Sequence, residues 1–326
     1  MCTVISDNNG RHTFGRTLDL ECSYGESVIL TPRSFPFSFL YEGDSSSHRA
    51  MIGMGITVGG VPLYYDAMNE SGLCAAALNF PGRAVYRKKE EGKLNLASFE
   101  IIPFVLSRCE NLREARKTLS ELNVTDDAVL AEMPPTPLHW MVFDKDGALV
   151  IEATKGGVQI SDNPHGVLTN SPEVSFHLEN LALYMGLNSR PPENKIAKGC
   201  APEVYSRGLG AVGLPGDFSS PSRFVRAVFL KNHTHAAPCG CEVIRTFHIM
   251  NNLSVPDGAV SLADGQGVRT VYTAVGDTQA GIYYFSTYED PRIRGVRLLP
   301  EGAELSVLPA SSGEWDDGLL KSEGVL

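Results

Sequence analysis

Residues 1–20 read MCTVISDNNGRHTFGRTLDL, and the fold is decided there. CTVI at 2–5 and HTFGRTLDL at 12–20 are rich in strand-forming residues. The polar stretch over 7–10 separates them as a turn, so the sequence predicts a β-hairpin that begins at the second residue. Outward from this hairpin, SVILTPR (27–33), MIGMGITV (51–58), VPLYYDAM (61–68) and LCAAALNF (73–80) carry further strand signals divided by Gly, Asn or Pro. An antiparallel sheet is the economical reading of this first quarter. In NLREARKTLSEL (111–122), Leu112, Ala115, Leu119 and Leu122 recur near helical spacing, which predicts a helix packed on one face of that sheet.

The second half opens with LHWMVFDKDGALVIEA (138–153), two strand-like runs around an Asp146-Gly147 turn. Helices are expected over VSFHLENLALYM (174–185), SRFVRAVFLKN (222–232) and CEVIRTFHIMNNL (241–253), and strands over TVYTAV (270–275) and AGIYYFSTYED (280–290). This order is no βαβ alternation. Two packed sheets with helices outside accommodate it, a layered α/β/β/α arrangement. No internal repeat or long Pro/Gly/Ser linker divides the chain, so residues 1–326 are read as one domain.

With a formal net charge of -10, the chain has no general attraction for phosphate backbones or anionic lipid, and nucleic acid is excluded as a partner. Residues 1–20 lack the basic and apolar regions of a signal peptide, and no run of ~18 apolar residues spans a bilayer. A soluble, cytoplasmic protein without membrane association is expected. Seven scattered cysteines, Cys2, Cys22, Cys74, Cys109, Cys200, Cys239 and Cys241, are odd in number and do not resemble a secreted disulfide framework. Free thiols are expected.

Several motifs are weighed and set aside. Gly53, Gly55, Gly59 and Gly60 have the wrong spacing for a dinucleotide loop, and the VPLYYD that follows reads as strand. There is no Walker A sequence, HExxH or GxSxG. His233, His235, Cys239, Cys241 and His248 are zinc-type ligands without the spacing of a common finger, and a polar surface loop explains the first four equally well. No metal and no cofactor are assigned. His139, His177 and His248 read as satisfied structural residues.

Position 2 is the informative one. Initiator methionine is removed when the second residue is small, and Cys2 would then carry both a thiol and a free α-amine. Their reference pKa values, ~8.5 and ~7.7–8.0, make proton transfer from sulfur to nitrogen cheap near neutral pH. One residue would supply nucleophile and base, with no catalytic histidine required. Taken alone, Cys2 reads more readily as a small buried residue at the start of an edge strand.

Its company changes that balance. Met-Cys-Thr at the start, FGRTLDL (14–20), SYGESVILTPR (23–33), NESGLCAAALNFPG (69–82), LHWMVFD (138–144), VLTNSPEVSFHLENL (167–181), LPGDFSSPSRFVR (214–226) and STYEDPRIR (286–294) stand in one order over nearly the whole chain. In these segments the sequence resembles the choloylglycine hydrolase family, which comprises bile salt hydrolases and penicillin V acylases. The resemblance implies an α+β fold, the four-layer αββα sandwich of N-terminal-nucleophile hydrolases, with two antiparallel sheets and helices outside.

It also implies that Cys2 is the nucleophile once Met1 is gone, with Asp19 holding the α-amine and Arg16 close to the thiol. Strict strand alternation puts Arg16 and Asp19 on opposite faces, so the strand is expected to end or bulge between them. Asn79 and Asn170 match the family's oxyanion-hole positions, although Asn beside Pro is also a common turn residue. Arg223 stands near the start of a helix expected to have Ser220 as N-cap and Pro221 first, where the dipole opposes a cation. The resemblance supplies the anion, at or near Cys2, and Arg226 reads as an ordinary surface residue.

The implied substrates are glycine- or taurine-conjugated bile salts, cleaved to free bile acid and amino acid. Leu18 and Tyr24 are plausible lining for an apolar pocket and equally plausible core. Asn79 stands where the penicillin V acylase branch usually has an aromatic residue, which favours the bile-salt branch. The resemblance further suggests a homotetramer. A penicillin V acylase-type amidase and an inactive binding protein of the same fold are the alternatives.

Overall fold

The structure, a computed structural model, describes residues 1–200, 202–236, 241–302 and 304–311. The opening hairpin forms as read. β1 (Cys2–Asp7) pairs antiparallel with β2 (Thr13–Leu20) in a register that sets Cys2 opposite Leu18, Val4 opposite Arg16 and Asp7 opposite Thr13. β1 is buried on both sides, and its alternation sorts side chains between two cores. Cys2 and Val4 point into one core with Phe14 and Leu18, whereas Ile5 packs with Phe224, Ile249 and Met250 on the opposite side.

Around the hairpin runs a sheet in the order Val167–Leu168, β1, β2, Gly267–Asp277, Ile282–Thr287 and Arg294–Arg297, with Val260–Ser261 added beside Gly267–Asp277. A second sheet runs Gly157–Asp162, Gly147–Thr154, Leu138–Asp144, Cys74–Asn79, Val61–Asn69, Met51–Val58, Ser27–Thr31 and Ser306–Pro309. Every pairing within these two sheets is antiparallel. Val28, Met54, Met68, Ala76, Met141 and Phe143 face Cys2, Val4, Phe14 and Leu18 across the interface between them.

α1 (Ile101–Arg108) and α2 (Leu112–Thr118) cover the outer face of the second sheet, while α4 (Ser220–His233) and α5 (Glu242–Asn251) cover the first, with α3 (Val174–Asn180) against α4. The architecture is therefore the αββα sandwich of two antiparallel sheets. The helix at 112–118 follows the predicted periodicity and is capped by Asn111, whose side chain accepts from the Glu114 amide. α1 was not predicted. Its residues 101–107 are all buried, so IIPFVLSR carries no amphipathic period to read.

The glycines set aside as a dinucleotide loop have structural work instead. A Cβ on Gly53 would lie 2.0 Å from the Asp66 carbonyl oxygen of the neighbouring strand, and one on Gly55 2.3 Å from that of Leu63. Gly59 and Gly60 turn the chain between these strands with φ of 58° and 84°, the left-handed conformation of a two-residue hairpin turn.

One buried histidine marks the hairpin as pH-sensitive. His12 lies between Ser6 Oγ (3.1 Å from Nε2) and Thr278 Oγ1 (3.0 Å from Nδ1), and burial pushes its pKa down from 6.5 to about 4. A base depressed in the folded state contributes stability that is present above its unfolded pKa and lost as pH falls from 6.5 toward 4. Chemical denaturation across that window is expected to show wild type losing up to about 3 kcal/mol more than His12→Gln. Parallel curves for the two proteins would count against this account of His12.

Candidate active site

Cys2 is 2% exposed, with its thiol on the face of β1 that looks toward the second sheet. Arg16, two pairs along on β2 and so on the same face, places Nη2 3.6 Å from Cys2 Sγ. The guanidinium is immobilised from the second sheet. Nη2 donates to the Ala77 carbonyl at 3.1 Å, and Nη1 donates to the Tyr65 carbonyl and lies 3.3 Å from Asp66 Oδ2.

Asp66 is wholly buried and accepts from the hydroxyls of Tyr272 and Tyr283 at 2.6 Å each. Burial drives its pKa up, against the pull of Arg16 and the two tyrosines. Burial also works against the charge on Arg16, but the neighbouring Tyr272, Cys2, Asp66 and Tyr283 outweigh it and hold the guanidinium protonated above its ordinary range. Asp66 was not singled out in the sequence, because within VPLYYDAM it reads as a polar interruption of a strand.

The other face of the hairpin carries the remaining charges. β2 runs unbroken through Arg16 and Asp19, contrary to the expected end or bulge, and the two side chains do lie on opposite faces. The irregularity sits in the partner strand, where the register shifts between Thr270 and Tyr272. Asp19 accepts from Thr270 Oγ1 at 2.6 Å. Burial pushes its carboxyl up, opposed by Arg223, the terminal amine, Thr270 and Arg16.

Arg223 is fully buried on α4 and donates to the Cys2 carbonyl, to Thr3 Oγ1 and Asn170 Oδ1 at 2.6 Å each, and to Phe218 O at 3.0 Å. It thus grips the main chain of Cys2 from the helix side. Burial lowers its pKa, and Asp19 is the foremost anion opposing that, followed by Cys2. Two sequence expectations nearby are corrected. Ser219 is the N-cap of α4 with Ser220 first in the helix. Arg226 is buried, bonded to the carbonyls of Pro215, Asp217 and Asn252, and so is no surface residue.

Asn170 joins the faces. Its Oδ1 accepts from the Cys2 nitrogen at 2.8 Å, and its Nδ2 donates to the Asn79 carbonyl at 2.7 Å. Met1 is present, so this nitrogen is an amide. The Met1 amine donates to the Asp19 carbonyl, and the Asp19 amide donates back to Met1 O at 2.8 Å. The side chain of Asn79 lines the cleft beside Cys2, where its buried Oδ1 has no hydrogen-bond partner among the described residues.

From Cys2 a cleft of about 460 Å³ opens outward. Leu18 and Tyr24 both line it, joined by Ile56, Phe99, Ile102 and Met133 among others. The site brings together all eight residues named from the sequence, and adds Tyr65, Asp66, Tyr272 and Tyr283. Among the described residues, no group of three or more His, Cys, Asp or Glu side chains is disposed to hold a metal ion, and Cys239 lies outside the described residues.

Residues 2–306 match the family described as linear amide C–N hydrolases, choloylglycine hydrolase family. The chain is 41% identical to the bile salt hydrolase/transferase of Lactiplantibacillus plantarum over 309 residues, 94% of this chain and 95% of the relative. Its fold superposes on a mutant of the conjugated bile acid hydrolase from Clostridium perfringens with a TM-score of 0.86 and 34% identity, covering 94% of this chain and 96% of the other. The penicillin V acylase of Agrobacterium tumefaciens shares the fold, with a TM-score of 0.73 at 21% identity over 95% of this chain and 91% of the other.

The Arg16 guanidinium is the cation that contacts the sulfur, so its removal should deprive the thiolate of stabilisation in a poorly solvated site. In Arg16→Gln, alkylation of Cys2 by iodoacetamide at pH 7 is expected to slow by about tenfold, equivalent to ~1.4 kcal/mol. Peptide mapping isolates Cys2 from the exposed Cys22 and Cys200. An unchanged rate in a variant that still melts cooperatively would remove Arg16 from this role.

Proposed function

The chain belongs to the choloylglycine hydrolase family of linear amide C–N hydrolases, and from that premise we propose that it cleaves glycine- and taurine-conjugated bile salts with Cys2 as nucleophile once Met1 is removed. The observation that carries the reading is the Cys2 thiol at the foot of a largely apolar cleft, 3.6 Å from a buried guanidinium. Such a cleft suits a sterol body, with the scissile amide delivered to the sulfur.

Removal of Met1 converts the Cys2 amide into an α-amine and frees the main-chain groups of Asp19 that had engaged Met1. Asn170 Oδ1, 2.8 Å from that nitrogen, then orients the amine, and Asp19 supplies the nearby negative charge. The thiol proton passes to the amine, and sulfur attacks the substrate carbonyl. The side chain of Asn79 faces the developing oxyanion from the cleft wall. Asn170 Nδ2 gives one of its two protons to Asn79 O, which leaves the other for the same oxygen.

Collapse of the tetrahedral intermediate breaks the C–N bond as the ammonium proton goes to the leaving nitrogen, giving a thioester. Water then adds to the thioester carbonyl and yields its proton to the amine, and the C–S bond breaks to release bile acid and restore thiol and amine. The whole chain acts as one domain in this reading.

Two finer statements accompany it. Cys2, Cys22, Cys74, Cys109 and Cys200 form no disulfide among the described residues, which supports the reducing cytoplasm as the compartment. Among the described residues, no helix is long and apolar enough to cross a membrane. Leu183, Met185, Ile196, Tyr205 and Val212 are each at least 74% exposed along one segment, which supports burial against other copies in a homotetramer.

Purified protein whose intact mass confirms loss of Met1, incubated in parallel with glycocholate, taurocholate and penicillin V, is expected to release amine from at least one bile-salt conjugate. Little should come from penicillin V, and Cys2→Ala should fall to background on all three. Turnover by Cys2→Ala, or none by the trimmed wild type, would overturn the reading.

A further inference from the structure

Asn170 has to aim its amide at Cys2 with little freedom, yet it stands in a connection between the short strand Val167–Leu168 and α3. Loops of this kind are ordinarily the mobile part of a fold. Here the main chain of 169–170 is held on three sides by two buried histidines and a half-buried serine that the reaction itself does not use.

His139, wholly buried on the strand Leu138–Asp144, donates from Nε2 to the Thr169 carbonyl at 3.0 Å. The carbonyl partner requires the proton on that nitrogen. Its ring stacks on Phe80 with centroids 4.3 Å apart and planes 9° from parallel, so it also braces the residue that follows Asn79. Behind it, Glu152 Oε1 lies 3.4 Å from Nδ1 and accepts from the Val174 amide at 2.9 Å, which pins the start of α3.

His177, wholly buried on α3, donates from Nε2 to the Asn170 carbonyl at 2.9 Å and stacks on Phe224 of α4 with planes 16° apart. Ser220 Oγ completes the grip, accepting from the Asn170 amide and donating to the Asn170 carbonyl, both at 2.8 Å. Burial lowers the pKa of His177, and its Nδ1 is buried without a partner among the described residues, both of which suit a neutral ring.

We infer that the buried His139 and His177 and the half-buried Ser220 form a clamp that positions Asn170, and through it the Cys2 nitrogen and Arg223. They are positioning residues, since none contacts the sulfur or lines the cleft. The inference rests on the reading of Cys2 as nucleophile. Loosening the clamp leaves the apolar cleft intact while the amide of Asn170 drifts, so the loss belongs in kcat and hardly in KM.

The test compares His177→Phe, His177→Gln and Ser220→Ala with wild type on glycocholate and taurocholate, alongside thermal melting. Phenylalanine keeps the stacking on Phe224 and removes the donor, while glutamine restores an N–H near the position of Nε2. His177→Phe is expected to lose tenfold or more in kcat with KM within twofold. His177→Gln should return to within about threefold of wild type, and Ser220→Ala should lose three- to tenfold in kcat. Should His177→Phe fail to fold, His177→Gln and Ser220→Ala carry the comparison alone. Wild-type kcat in Ser220→Ala or His177→Phe, a loss confined to KM, or failure of glutamine to rescue would overturn the clamp. A trimmed wild type that cleaves neither conjugate would instead remove the premise, and the clamp as a catalytic device with it.

Discussion

The antiparallel register that sets Cys2 opposite Leu18 is the constraint on which the site depends. It fixes which way each part of the first strand residue looks. The thiol enters the space between the sheets, where Arg16 waits on the same face. The nitrogen and carbonyl of the same residue are taken from elsewhere, by Asn170 and Arg223. A slip of one residue would turn sulfur toward the helices and lose every one of these contacts. Burial of β1 on both faces makes such a slip costly, because Val4 and Ile5 each have a dedicated core.

Charge follows the same division. Two buried arginines flank the hairpin, one per face, and each has a carboxylate of its own: Asp66 for Arg16, Asp19 for Arg223. An unpaired buried cation would be severely penalised. The carboxylates are in turn satisfied by hydroxyls, Tyr272 and Tyr283 for Asp66 and Thr270 for Asp19, from Gly267–Asp277 beside β2 and from Ile282–Thr287 one strand further on. Neither arginine is therefore neutralised by the thiol. Arg16 can accept a charge on sulfur as an addition to a balanced site, which a salt bridge to Cys2 alone would not permit.

Much of this was legible in the sequence, and what was not has physical reasons. Strands at 51–58, 61–69 and 138–144 announce themselves by apolar runs ended by Gly, Asn or Asp. The strand Gly157–Asp162 was missed because GVQISD lies partly exposed at a sheet edge, and α1 because an all-buried helix has no polar stripe. Arg16, Asp19, Asn79 and Asn170 were reached through resemblance, since each alone has an ordinary reading as strand or turn residue, whereas Cys2 and Arg223 also carried arguments of their own, from thiol–amine chemistry and from a cation in a helix's first turn. Asp66, Tyr272 and Tyr283 had no signal at all. Asp66 lies 206 and 217 residues from the two tyrosines and meets them only when the two sheets close on one another. A buried carboxylate without a local partner in sequence is the one hint available, and it cannot say which residues will answer it.

The closing of the sheets also explains why the proposed nucleophile needs so large a frame. In the proposed reaction Cys2 supplies its own base only if sulfur and nitrogen are both held, and a residue at or beside a chain terminus would otherwise fray. Sulfur is restrained by Arg16, itself tied to Tyr65, Asp66 and Ala77 of the second sheet. Nitrogen is restrained by Asn170, whose loop is tied to α4 through Ser220 and to the second sheet through His139. The two tethers thus arrive from different layers, and neither sheet alone could supply both. Held in this way between the layers, Cys2 is left with one open direction, and along that direction runs the apolar cleft.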